Sequence, residues 1–104
     1  MAHPEHPIFG GRFELTRQKV REQQAHYRVR LLFANALFEY NGIFSEGGVE
    51  LTLEKTDPDG LQEPPSWAQK HLNFLCNQAL KTFKKEGVWT RRIRQWKEPV
   101  EKRS

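Results

Sequence analysis

The sequence predicts an α+β fold: an antiparallel sheet of four to five strands, one main C-terminal helix (66–86) packed on one face, and a final strand (88–96). Three observations carry this expectation. Residues 26–33 and 49–54 alternate apolar and polar side chains, the period-two pattern of a half-buried strand. Residues 66–86 instead repeat apolar positions every three or four residues, the pattern of a helix packed by one face. Asn41-Gly42, Gly47-Gly48 and Asp57-Pro58-Asp59-Gly60 punctuate the chain between them with residues that favour reversals.

At 104 residues the chain is read as one domain, 11–97, between flexible tails at 1–10 and 98–104. Three Trp and seven Phe within a 37% hydrophobic composition supply enough apolar mass for one core. A single cysteine excludes an internal disulfide and suits a reducing compartment. No apolar run approaches the roughly 18 residues of a membrane span, and Met1–Pro7 lacks the pattern of a signal peptide. The expected location is therefore cytoplasmic, with no membrane partner.

Taken in order, the N-terminal stretch is broken by His-Pro pairs and Gly10-Gly11. The Met1 amine and His3 have the spacing of a square-planar copper or nickel site, but small Ala2 favours removal of Met1 and loss of that geometry. Phe13 and Leu15 alternate with Arg12 and Glu14, which suits a strand. Residues 16–25 are almost entirely polar. Tyr27, Val29, Leu31 and Phe33 then share one strand face, with His26, Arg28 and Arg30 on the other. A single helix over Thr16–Tyr40 is the competing reading. It places Val20, Tyr27, Leu31, Ala34 and Phe38 on one stripe and ends at Asn41-Gly42. Val49, Leu51 and Leu53 face the core, opposite Glu50, Thr52 and Glu54.

Ser66 with Gln69 three residues on has the form of a capping box, and Gly87 that of a helix stop. Between them Ala68, Leu72, Leu75, Cys76, Ala79 and Phe83 form the core stripe, with Lys84 and Lys85 at the negative end of the helix dipole. Beyond Gly87, Trp89, Arg91, Ile93 and Gln95 fall on one strand face, and Arg92, Arg94 and Trp96 on the other.

The charge is unevenly placed. Residues 11–30 hold six Lys/Arg against two acids, residues 31–66 only Lys55 against seven acids, and residues 67–104 ten Lys/Arg against three acids. One consequence is a basic and aromatic surface at Arg28, Arg30, Arg92, Arg94 and Trp96. Such a surface suits RNA or single-stranded DNA unless Glu50 and Glu54 pair with the arginines. The other is an apolar spot with a basic rim on the back of the helix, at Trp67 and Phe74 among Lys70 and Lys81.

Catalytic chemistry finds little support. Cys76 lies in the core stripe, the four histidines are scattered, and no glycine-rich phosphate loop or zinc spacing occurs. No cofactor or metal is expected. The leading expectation is a small non-enzymatic binding module, either a protein-interaction adaptor or a dimerising domain. Nucleic-acid binding through the arginines is the alternative, and a small enzyme a distant third.

Overall fold

Four hairpin-connected strands open the described chain: β1 (Gly11–Arg21), β2 (Gln24–Phe33), β3 (Ala36–Ser45) and β4 (Gly48–Asp57). Helix α1 (Ser66–Glu86) follows, and β5 (Arg92–Lys97) closes it. The structure, a computed structural model, describes residues 10–98. Apart from Gly10 and Glu98, the expected tails lie outside the described residues, as does the Met1–His3 metal geometry. All neighbouring strands are antiparallel, in the order β4-β3-β2-β1-β5. Because β4 and β5 occupy opposite edges, α1 crosses one face of the sheet between them.

The single-helix alternative for 16–40 is overturned by the strand pairing. The sheet fully buries Tyr27, Val29 and Leu31 on alternate positions of β2, which a helix does not present on one face. The polar stretch after Leu15 is strand too. It belongs to the distal half of β1, where Gln18–Arg21 are exposed, so its polarity reflects solvent rather than a loop.

The core lies between the sheet and α1. Phe13, Leu15, Ala25, Tyr27, Val29, Leu31, Phe38 and Phe44 meet Ala68, Leu72, Leu75, Cys76 and Ala79. At roughly 1.5–3 kcal/mol for each buried Leu or Phe, this cluster is the main source of stability. Val49, Leu51 and Leu53 of β4 pack on its margin.

Three local expectations need correction. Asn41-Gly42 is not a break but the middle of β3. A Cβ on Gly42 would sit 3.0 Å from both Leu51 and Phe44 side chains, so close packing accounts for the glycine. The capping box does not form: Pro65 is the N-cap residue, with no side-chain cap bond. Ser66 already lies inside the helix, while the Pro65 carbonyl accepts from the Ala68 and Gln69 backbone N–H groups and Gln69 Nε2 donates to the Pro64 carbonyl. Finally, the last strand begins at Arg92 rather than 88. Residues 88–91 form a connection whose Trp89 is buried in the core, stacked on Phe83 with centroids 4.0 Å apart. Gly87 does end the helix, at φ 74°, with its N–H donating to the Phe83 carbonyl.

Candidate nucleic-acid interface

Strand register assigns every sheet residue to one of two faces, and α1 covers only one of them. On the uncovered face Glu14 lies between Arg30 of β2 and Arg94 of β5, and Arg30 lies opposite Glu39 of β3, which lies opposite Lys55 of β4. The next row holds Arg92, Thr16, Arg28, Asn41 and Thr52. At the other end Trp96 pairs with Arg12, whose neighbour Leu32 is buried outside the main core.

Arg28, Arg30, Arg92, Arg94 and Trp96, selected from sequence, thus converge on one surface, although they come from strands on either side of β1. Strand order also separates the charges. The β2-β1-β5 half of this face presents Arg12, Arg28, Arg30, Arg92 and Arg94 against Glu14 alone among acids. The β3-β4 half presents Glu39, Glu50 and Asp57 against Lys55.

Register does not set Glu50 or Glu54 opposite these arginines. Glu50 lies opposite Ile43, and Glu54 is the extra residue where the β3–β4 register shifts. Glu14 and Glu39 are acids that do meet these arginines. Glu14 takes Arg30 Nη1 at 3.4 Å and Arg94 Nε at 3.3 Å, and Glu39 takes Arg30 Nε at 3.5 Å. These contacts are long beside the roughly 2.7–2.9 Å of a tight charge-assisted bond. Arg94 is also more than half exposed, so its pair contributes little to stability. Arg28 and Arg92 make no ion pair among the described residues.

Arg12, Glu14, Thr16, Arg30, Arg92 and Arg94 line a depression of about 200 Å³. A second, more open one shares Thr16 and Arg92 and adds Arg17, Thr90 and Arg91. Reasoning from sequence missed Arg12 and Thr16 on this face; Arg91 and Arg17, the latter paired with buried Tyr27 and so on the other face, border it beside Thr16 and Arg92. Arg12 was visible in the alternation with Phe13 and Leu15, but its neighbours depend on strand order. Arg17 and Arg91 depend on how the 88–91 connection is held. There Arg17 Nη1 donates to the Trp89 carbonyl at 3.0 Å, Arg17 N–H to the Arg91 carbonyl at 2.9 Å, and the Tyr27 hydroxyl to the Thr90 carbonyl. Burial pushes the Tyr27 hydroxyl up to about 12 against the opposing pull of Arg17, which keeps it a neutral donor.

The helix-borne candidate is less coherent. Trp67 does not point away from the core: it is half-buried, edge-on to Phe13 at 6.2 Å and to Phe33 at 5.9 Å. Its position in the first helical turn swings the indole over the end of the sheet. Phe74 is 52% exposed and stacked on His71, with Lys70 and Lys81 exposed on the same side by spacing. His71 itself bonds Gln95 of β5 at 3.0 Å.

Cys76 is buried, and its thiol is pushed up to about 12 by desolvation, which suits a core side chain rather than a nucleophile. Among the described residues no three His, Cys, Asp or Glu side chains gather as metal ligands, and no helix is long and apolar enough to cross a membrane. Compared with family models, curated proteins and solved structures, the chain matches none.

Proposed function

We propose that the chain is a non-enzymatic binding module whose open sheet face takes single-stranded nucleic acid, RNA or DNA, across β2, β1 and β5. One observation carries the reading: strand order sets five arginines and the half-exposed Trp96 side by side on a face the helix leaves uncovered. Guanidinium groups contact phosphates, and an exposed indole stacks on a base; together they serve a strand whose bases are unpaired. Glu14 spaces the arginines instead of cancelling them, and its long contact leaves the more than half-exposed Arg94 able to exchange a carboxylate for a phosphate.

The test is titration of a fluorescent single-stranded oligonucleotide at several salt concentrations. Four phosphates neutralised give a slope near −3 in log K against log salt, from roughly −0.7 per phosphate. Arg92→Glu/Arg94→Glu is expected to abolish binding, and Trp96→Ala to weaken it by about 1–3 kcal/mol, the value of one stacked base. Glu14→Gln is expected to strengthen it. Salt-independent binding, or binding unaffected by the double arginine reversal, overturns the reading.

The exposure of Phe74 favours a second reading, a protein-interaction site formed by Phe74, Lys70 and Lys81 with the rim of Trp67. The same titration separates the two. Phe74→Ala leaves oligonucleotide binding intact if the sheet face is the site. If the arginine variants bind as before and only Phe74→Ala changes association of the chain, the helix face is the site.

A further inference from the structure

The outer edge of β4 is a second candidate surface. Among the described residues no strand pairs with it. An edge strand presents a row of open backbone N–H and C=O groups, a template for another strand. β4 is ten residues long, against six for β5 at the opposite edge. Val49, Leu51 and Leu53 are only half-buried, so the core thins out towards this edge.

The residues of β4 are self-complementary about Thr52. Set Thr52 opposite Thr52 of a second copy, antiparallel, and Leu51 of each copy meets Leu53 of the other on the helix-covered face. The next pair depends on the register shift. Tyr40 pairs with Leu53 and Glu39 with Lys55, so Glu54 is the extra residue. With Glu54 skipped, Glu50 of each copy meets Lys55 of the other, giving two opposite-charge pairs. In an unbulged strand Glu50 would face Glu54, and two like-charge pairs would oppose the contact. Glu50 and Lys55 are both exposed, and neither makes an ion pair within the chain among the described residues. A bulge and a lysine commonly guard an edge against indiscriminate pairing. Here the bulge brings unlike charges into register, so the same feature that excludes other strands admits this one.

We propose that β4 is a homodimerisation edge. Two copies pair β4 to β4 about a twofold axis at Thr52, joining two five-stranded sheets into one. The pairing lies at the acidic end of the sheet and leaves β2, β1 and β5 clear.

Sedimentation equilibrium of the full chain tests it. The expected result is a reversible monomer–dimer equilibrium, weakened about tenfold by Glu50→Lys and by Lys55→Glu, each of which sets like charges opposite one another. The double variant Glu50→Lys/Lys55→Glu restores unlike pairs and is expected to recover the original affinity to within a few-fold. Far-UV circular dichroism confirms that each variant keeps the native fold. A chain that stays monomeric at all concentrations overturns the proposal. So does a dimer indifferent to either single reversal, or a double variant no better than the singles. Oligonucleotide binding by Arg92→Glu/Arg94→Glu is read separately, so failure of one proposal is distinguishable from failure of the other.

Discussion

Cys76 and Tyr27 are the residues whose chemistry is most altered by the fold. Desolvation raises the thiol from its ordinary 9.0 and the phenol from its ordinary 10.0, each to about 12. In the unfolded chain both ionise at their ordinary values, while in the folded chain both stay neutral. Below about pH 8 neither difference is felt. As pH rises from there towards 12, the unfolded state loses protons that the folded state retains, so stability falls by up to roughly 1.4 kcal/mol per pH unit for each group. The urea midpoint is therefore expected to decline from pH 9 to 11, and less steeply in Cys76→Ala. A midpoint that stays level across that range would contradict the burial of both groups. Cys76 was legible in advance because it recurs at helical spacing with Leu72 and Ala79. Trp89 was not. Two-residue alternation groups it with Arg91 and Ile93, whereas Arg17 and Tyr27 draw the 88–91 carbonyls towards β1 and β2 and seat the indole on Phe83. That pull acts across 63 residues of sequence or more, beyond any local pattern.

Among the elements, α1 shows how a correct helix can carry a wrong cap. Its stripe and its glycine stop follow from spacing, and both are present. Its start was misread because Ser66 and Gln69 resemble a capping box, while the preceding Pro65 already has the extended backbone of a cap residue, with ψ 151°. Proline restricts the residue before it as well, so Pro64-Pro65 sets the entry of the chain without help from a hydroxyl. The two ends should respond differently to alanine. Ser66→Ala is expected to cost less than about 0.5 kcal/mol, below the usual ~1 kcal/mol of a lost cap bond. Gly87→Ala forces a side chain into φ 74° and is expected to cost about 1 kcal/mol. Thermal unfolding of the two variants checks this, and equal losses would restore the hydroxyl cap. The strands were legible wherever one face is wet. β3 was not, because Ala36–Ser45 places Leu37 and Phe38 next to one another and both are buried, which erases the alternation.

At the scale of the molecule, the basic-acidic-basic order along the chain has two possible outcomes, cancellation or segregation, and strand order decides between them. A meander that adds β5 beside β1 keeps the basic strands together and moves the acidic ones to the far edge. Across the boundary Arg30 pairs with Glu39. The composition held the charges, but the placement of β5 was invisible in it, since β5 pairs with β1 across most of the sequence. A bound strand should therefore be confined to the basic half. Three strands at about 4.8 Å spacing offer a strip that only a short segment can follow. Affinity is expected to rise with oligonucleotide length and level off at about four to six nucleotides, the low end for single-strand-binding folds. Glu39→Gln removes the nearest carboxylate on the acidic side and should shift that plateau to longer oligonucleotides, whereas Glu54→Gln, at the bulge on the far edge, should not. Affinity that keeps growing with length in the unaltered chain would mean that the whole face binds and that its charge separation has no part in where a strand stops.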